Sequence, residues 1–184
     1  MKVMKRDIAF EGDYLRVVNK HTVAENGHVT IWETIERTNV YNRGVVVIIP
    51  MTEEGEIILE RNWRAAIESY VIQFPAGLCD IEGETAEETA RRELFEETGY
   101  IARELIPIVT LPMSPVLVST EGDHFLAPDV VFDGTNEKDM SEEIEVLKVP
   151  VNRLEELLLN PPNETTVDLR VPGILWVLEK RGLI

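Results

Sequence analysis

The segment from Gly77 to Tyr100 restricts the fold of this chain more than any other segment. From Thr85 to Thr98 it contains no proline or glycine, and its alanine, glutamate, arginine and leucine residues favour a helix. Gly99 follows, and glycine readily adopts the left-handed conformation in which helices commonly end. The sequence therefore predicts a helix that stops at Gly99.

Three carboxylates lie close together on this predicted helix. At about 100° per residue, Glu93, Glu96 and Glu97 fall within an arc of about 100°. Ala90 and Leu94 belong to an adjoining i, i+4 row that can face a core. Hard oxygen donors at this density suit Mg²⁺ or Mn²⁺. The alternative is a solvated acidic face, because runs of charge usually lie on the surface.

The same segment resembles the Nudix box, in which a glycine and a glutamate precede the motif R-E-(apolar)-x-E-E-x-G-(apolar). From Glu84 onward the match is complete, through Arg92, Glu93, Leu94, Glu96, Glu97, Gly99 and Tyr100. Six residues separate Gly77 from Glu84, which is one residue more than the Nudix pattern has. The departure lies in the loop and not in the helix that carries the acids.

The order of strands and helices along the chain predicts an α+β fold with a mixed sheet between helices. The Nudix resemblance implies an α/β/α sandwich with a mixed sheet, which agrees with that prediction. It also implies a small N-terminal β-rich domain at residues 1–40, which pairs two subunits into a homodimer, often by domain exchange. Residues 41–184 would then form the Nudix hydrolase domain. Met113–Gly122 is predicted to be a loop.

Beyond the box, residues 14–150 resemble the Nudix branch that hydrolyses ADP-ribose and nucleoside diphosphate sugars. The segments that carry this resemblance are Ile31–Arg37 after an Asn26-Gly27 hairpin signal, Glu60–Arg64, Gln73–Leu78, Ser114–Ala127 and Glu142–Pro150. Together they extend the resemblance to most of the chain.

The resemblance implies a metal site with hard oxygen ligands. The Ala76 carbonyl, Glu93 and Glu97 would hold one ion, and Glu96 would help to hold a second. Mg²⁺ is the expected cofactor and Mn²⁺ is an alternative. Arg92 would orient the carboxylates without being a ligand.

The resemblance also implies substrate-binding residues. Trp32 would stack on the base, since an indole face tolerates any purine. Arg37 and Arg64 would contact phosphate and ribose groups, because a guanidinium fork suits a diphosphate. Leu78 and Glu121 would complete the set, with Glu121 near the terminal ribose. The alternatives are a buried strand aromatic for Trp32 and surface ion pairs for the arginines.

The general base that hydrolysis requires is expected in the loop before the last sheet strand. Glu142 fits the spacing of the resembling branch best, and its neighbour Glu143 could replace it. The alternative is a solvated loop acid with no catalytic role. Glu142, Glu96 and Arg92 thus make up the expected catalytic group.

Composition excludes several partners. The net charge is −16, and no basic patch is present, so a nucleic-acid partner is not expected. No apolar run of signal-peptide length follows Lys2, Lys5 and Arg6. The longest apolar block, Val45–Ile49, has the length of a strand, so a membrane partner is not expected. Cys79 is the only cysteine, which excludes an intrachain disulfide and favours a reducing compartment. We therefore expect a soluble, cytoplasmic protein.

These observations predict a Mg²⁺-dependent hydrolase of ADP-ribose and related nucleoside diphosphate sugars, which releases a nucleoside monophosphate and a sugar phosphate. A preference for GDP-mannose is one alternative. A Nudix-like nucleotide-binding module without catalysis is another, although the intact acids of the box argue against it. A third is an acidic protein that merely binds divalent cations.

Overall fold

The computed structural model of this chain describes residues 1–134, 143–162 and 164–184. The strands are β1 (Lys2–Glu11), β2 (Leu15–Val23), β3 (Val29–Arg37), β4 (Gly44–Pro50), β5 (Glu56–Arg64), β6 (Ser69–Gln73), β7 (Ala76–Leu78), β8 (Tyr100–Ile101), β9 (Ile106–Ser114), β10 (Val118–Ala127), β11 (Val131–Phe132), β12 (Ile144–Pro150) and β13 (Thr166–Val167). The helices are α1 (Ala86–Thr98), α2 (Leu154–Leu159) and α3 (Arg170–Lys180), with a 3₁₀ turn at Val151–Arg153.

Two larger sheets organise these strands. The first runs in the order β1-β2-β3-β10-β4-β7, with β9 on β10, and the second runs β12-β5-β6-β13. Strand β10 is parallel to β3 and β4, whereas most other neighbours are antiparallel, so the sheet is mixed. The parallel pairing places the end of β3 beside the start of β10.

Strand β4 shows why the fold is layered. It is fully buried, and its side chains alternate between two cores because successive residues of a strand point to opposite faces. Val46 packs with Leu94 of α1 on one face. Val47 packs with Leu178 of α3 on the other face. The predicted α/β/α sandwich with a mixed sheet is confirmed.

Helix α1 matches the predicted helix closely. Thr85 caps its N-terminus in a reciprocal pair with Glu88, and Gly99 ends it at φ 75° with its N–H bonded to Phe95 O. Ala90 and Leu94 are completely buried, and burying a leucine contributes about 1.5–3 kcal/mol. Caps and burial together fix the position of the acidic face of α1.

The N-terminal residues form an antiparallel meander of β1, β2 and β3. The Asn26-Gly27 turn joins β2 to β3 as predicted, with Gly27 at φ 82°. Strand β3 meets β10 through the single register pair Ile35–Val118. The domain boundary near residue 40 stays a prediction. Within the described ranges, no helix is long and apolar enough to cross a membrane.

The sequence predicts a loop at Met113–Gly122, and this prediction is wrong. The segment forms the end of β9, a short turn and the start of β10, which pair as a tight hairpin. Pro112 suggests the end of a strand when only the sequence is considered. Pro112 lies on β9, which among the described strands pairs with β10 alone, and an edge strand tolerates a residue without an N–H group.

Candidate active site

A cavity of about 740 Å³ opens between α1, β7 and the start of α3, within the range of small-molecule sites. Its acidic lining residues are Asp80, Glu93, Glu96, Glu97 and Asp168, and its arginines are Arg37, Arg64, Arg92 and Arg170. Its apolar lining includes Val45, Ile67, Val71, Ala76, Leu78, Met113 and Ile144. A polar cavity that combines both charges can hold an anionic ligand together with cations.

Most residues expected from the sequence meet at this cavity. The lining includes Arg37, Arg64, Ala76, Leu78, Arg92, Glu93, Glu96 and Glu97. Trp32 and Glu121 are not among the described residues that line it. Glu121 instead is exposed on β10 and lies 3.7 Å from Arg43. Glu142 lies outside the described residues.

Arg92 stands at the centre of the acidic lining. Its Nε and Nη2 donate to the two oxygens of Glu84 at 3.1 and 3.0 Å. Its Nη1 donates to Glu93 at 2.8 Å and to Glu96 at 3.3 Å, and Nη2 lies 3.4 Å from Asp80. Because a guanidinium stays protonated, it offsets repulsion among these acids and directs the Glu93 carboxylate.

Two carboxyl groups of α1 lie at the cavity, with Glu97 buried and Glu93 partly buried. Glu97 is 8% exposed, and one of its oxygens accepts from the Ala76 N–H at 3.0 Å. Burial raises the pKa of Glu97 far above its usual range, and contact with the fully buried Glu60 raises it further. Burial also raises the pKa of Glu93 to about 7, although Arg92 opposes the shift. Both acids therefore favour a proton or a nearby cation.

Gly77 lies directly beneath the Glu93 carboxyl group. A Cβ atom at Gly77 would overlap the Cδ and Cγ atoms of Glu93, so any larger residue displaces that carboxyl group. The extra loop residue does not disturb this contact. It is accommodated in a turn in which the Glu84 N–H donates to Ile81 O at 3.3 Å, and Glu84 still reaches Arg92.

Comparison with known proteins identifies the family. The family model described as NUDIX domain matches residues 40–169. The chain belongs to the Nudix family. An ADP-ribose pyrophosphatase of Bacillus subtilis (strain 168) is 32% identical over 149 residues, which cover 80% of this chain and 77% of the relative. The ADP compounds hydrolase NudE of Escherichia coli (strain K12) is 33% identical over 126 residues, 68% of this chain and 66% of the relative.

A solved structure supports the Nudix fold. A crystal structure of an ADP compounds hydrolase superposes with a TM-score of 0.80 at 24% identity, and the match covers 100% of this chain and 96% of that chain. The matched residues of the NUDIX model include the whole box with Gly77, Arg92 and Glu97. The chain is accordingly an enzyme of the Nudix hydrolase class, which uses divalent metals.

The acids of the Nudix box fit a divalent cation by their chemistry. Their carboxyl groups turn toward Arg92, Ala76 and Glu60, and in the parts of the chain that the structure describes no three acidic, histidine or cysteine side chains converge on one point. Glu93 and Glu97 are nevertheless hard oxygen donors at the cavity, and both favour protons that a cation would displace. They are therefore candidates to hold the metal.

Trp32 and Arg37 point to opposite faces of β3. They pair with Lys20 and Leu15 of β2, respectively, and residues an odd number of positions apart alternate across a strand. Arg37 lines the cavity, whereas Trp32 is 48% exposed on the other face. Within one chain, the two side chains therefore lie on opposite faces of β3, and of the two only Arg37 lines the described cavity.

Glu143 is held away from the cavity. Its carboxylate accepts from the Tyr70 phenol, which raises the pKa of Tyr70. Glu145 pairs with Arg61 at 3.2 Å, while the intervening Ile144 lines the cavity. Glu145 thus lies on the face of β12 opposite to the cavity.

Sequence reasoning missed four polar residues near the site, which are Glu60, Gln73, Asp168 and Arg170. The Arg64 Nε donates to Gln73 Oε1 at 3.0 Å, and the Gln73 Nε2 lies 3.5 Å from Glu60. Since Glu60 contacts Glu97, a chain of polar contacts joins Arg64 to the acids of α1. One sequence signal was present, because Glu60 directly follows the apolar run Ile57–Leu59 of a predicted strand.

The substitution Gly77→Ala should separate metal binding from folding. The added methyl group displaces the Glu93 carboxyl group, which can swing aside without unfolding the chain. We expect about 10- to 100-fold weaker Mn²⁺ binding by calorimetry, a loss typical of disturbed metal surroundings, with an unchanged melting temperature. Gly173→Ala, whose Cβ meets no neighbour, is the control. Unchanged Mn²⁺ affinity in Gly77→Ala would refute the role of this close contact.

Stability should depend on pH and on cations together. In the folded protein the pKa of Glu93 is raised from 4.5 to about 7. The contribution of Glu93 to the free energy of unfolding is therefore fully present below pH 4.5 and is lost as the pH rises to about 7. A bound cation favours the ionised form instead. The Mg²⁺-induced rise in melting temperature should therefore grow from about pH 5 to about pH 8. Differential scanning fluorimetry measures it, and the growth should shrink in Glu93→Gln. A rise independent of pH in the wild type would contradict this assignment.

Proposed function

We propose that this Nudix enzyme hydrolyses the diphosphate bond of ADP-ribose and related nucleoside diphosphate sugars in a Mg²⁺-dependent reaction, releasing a nucleoside monophosphate and a sugar phosphate. The observation that carries the proposal is one cavity with a wall of acids beside several arginines. The similarity to the Bacillus subtilis relative named ADP-ribose pyrophosphatase supports the choice of substrate.

The residues of the cavity have different roles in the proposed reaction. Arg37 and Arg64 bind phosphate and ribose oxygens, which in a chain of net charge −16 must find positive charge locally. Arg92 keeps Glu93 in place above Gly77.

The metal ligands are proposed to be Glu93, Glu97 and the Ala76 carbonyl, with Glu96 assisting a second ion. Bound Mg²⁺, or Mn²⁺ in its place, supplies charge neutralisation of the diphosphate and activation of water. Leu78 lies beside these ligands on β7 and forms part of the apolar lining against the substrate.

Glu142 is proposed to be the base that accepts the proton of the attacking water. Support comes from its neighbours, since Ile144 lines the cavity and Glu143 is engaged by Tyr70. Glu143 is therefore the matched control for Glu142.

The protein is further proposed to act as a homodimer in which Trp32 reaches the partner's cavity. Trp32 lies on the face of β3 opposite to Arg37, which supports base stacking by the Trp32 of a second copy. The meander also exposes more than half of the side chains of Val3, Met4, Ile8, Phe10, Val29 and Ile31. Exposed apolar side chains of this number on one meander are typical of an interaction surface.

Product chromatography tests the reaction. Incubation with ADP-ribose, GDP-mannose, UDP-glucose and a nucleoside triphosphate, each with and without Mg²⁺, should give Mg²⁺-dependent AMP release from ADP-ribose at the highest rate. A faster release of GMP from GDP-mannose would favour the alternative substrate. Binding of ADP-ribose without cleavage would favour the non-catalytic nucleotide-binding module. Binding of cations without binding of nucleotides would favour the acidic protein that merely binds divalent cations.

Three variants belong to the same assay. Glu97→Gln should lower turnover by orders of magnitude while the fold survives. Glu142→Gln should lower turnover about 10²- to 10⁴-fold, as expected for a general base. Glu143→Gln should stay near wild type, and a result in which Glu143→Gln alone is inactive would move the base to Glu143.

A mixed dimer tests the role of the partner. Trp32→Ala dimers should show a raised KM, and Glu97→Gln dimers should be inactive. A heterodimer of the two variants contains one fully intact site if Trp32 acts across the interface, so co-expression should restore a wild-type KM. If the heterodimer keeps the raised KM, Trp32 acts within its own chain or not at all. A monomer in sedimentation at micromolar concentration would remove the dimer itself.

A further inference from the structure

Asp168 and Arg170 form a tightly paired unit in the wall of the cavity, and neither was expected from the sequence. Arg170 Nε donates to Asp168 Oδ1 at 2.8 Å, and Nη2 donates to Oδ2 at 2.5 Å, so the guanidinium and the carboxylate meet in a two-point fork. The Asp168 N–H donates to Ile72 O at 2.9 Å, which ties the unit to β6. Both side chains line the cavity.

The pair is accessible although it is largely buried. The relative exposures of the two side chains are 29% for Arg170 and 21% for Asp168. The remaining terminal nitrogen, Nη1, contacts Met113 Sδ at 3.5 Å. Sulfur is a weak acceptor, so a hydroxyl group could replace this contact with a gain in hydrogen bonding. The pair can therefore present a donor and an acceptor to a ligand.

The charges of the pair argue against a phosphate ligand. Burial opposes the ionisation of Asp168, but Arg170 outweighs this effect and holds the pKa of Asp168 below its usual range. The ionised pair carries no net charge, so its attraction for a diphosphate is small. The role of binding phosphate is better suited to Arg37 and Arg64.

Sugar hydroxyls match this unit, because each hydroxyl can donate one hydrogen bond and accept others. We propose that the Asp168–Arg170 pair recognises neighbouring hydroxyls of the substrate's terminal sugar, with the carboxylate accepting from one hydroxyl and the guanidinium donating to the next. The inference rests on the proposed function, in which the base lies toward the partner's Trp32. Asp168 directly follows β13 and Arg170 begins α3. Both line the cavity of the chain that supplies the acids, and the inference assigns them to the end of the substrate opposite to the base.

A purely structural role is the competing explanation. Asp168 Oδ1 also accepts from the Arg170 backbone N–H at 2.8 Å, so the pair could simply fix the start of α3. In that case substitutions would lower stability and would impair all substrates alike. A preference between two substrates distinguishes these roles, since loss of stability does not change it.

The experiment compares ADP-ribose with the propyl ester of ADP, which keeps the diphosphate bond and lacks the terminal sugar. In Arg170→Met and Asp168→Asn, kcat/KM for ADP-ribose should fall about 10- to 100-fold, the loss of one or two charged hydrogen bonds. The fall should appear mainly in KM. The kcat/KM for the propyl ester should stay close to wild type. Lys180→Met, at the exposed far end of α3, is the control and should change neither substrate.

The outcomes separate the inference from the proposed function. Equal losses for both substrates, or no loss for ADP-ribose, would overturn the inference while the hydrolase assignment stands. Equal kcat/KM values for ADP-ribose and the propyl ester in the wild type would also overturn the inference, because the terminal sugar would then contribute nothing to recognition. Cleavage of neither substrate by the wild type would overturn the proposed function and the inference with it.

Discussion

Four carboxylates lie within hydrogen-bonding distance of the Arg92 guanidinium, and the geometry of the cavity depends on these contacts. In a chain of net charge −16, acids gathered along one helix face would otherwise repel one another. Arg92 binds Glu84 at two points and directs Glu93 over Gly77. Because α1 is capped at both ends and buried through Leu94, the guanidinium is fixed relative to β7. The helix thus fixes the positions of Glu93 and Glu96, the proposed ligands, relative to β7.

The cavity contains two kinds of charge arrangement with different uses. Glu97 is buried and Glu93 is partly buried, and burial raises the pKa of both acids, which makes them costly to ionise and receptive to a cation. Asp168 is also partly buried, but its guanidinium partner lowers its pKa. The first arrangement attracts a metal, and the second is already neutral. Burial alone therefore does not decide what a carboxylate binds, since its nearest charged neighbour does.

The sequence predicted the parts of this protein that local signals determine. Helix α1, its stop at Gly99 and the Asn26-Gly27 hairpin follow from neighbouring residues, and the structure confirms them. The β9–β10 hairpin was missed because its partner strands and its edge position are properties of the whole sheet. Contacts such as those of Glu60 with Glu97 join residues far apart in the chain, and no local pattern predicts them. The opposite orientation of Trp32 and Arg37 was accessible from their odd spacing alone.

The turn between Gly77 and Glu84 keeps two contacts of the Nudix box although it is one residue longer than the Nudix pattern. Its extra residue leaves both ends in place, because Gly77 stays under Glu93 and Glu84 stays bonded to Arg92. Of the exposed intervening residues, Asp80 also reaches Arg92, and Ile81 closes the turn through its carbonyl group. A loop one residue longer than the Nudix pattern is therefore compatible with the contacts of Gly77 with Glu93 and of Glu84 with Arg92. A search that demanded a fixed count between the glycine and the glutamate would pass over this chain, whereas one that asked for the contacts would find it.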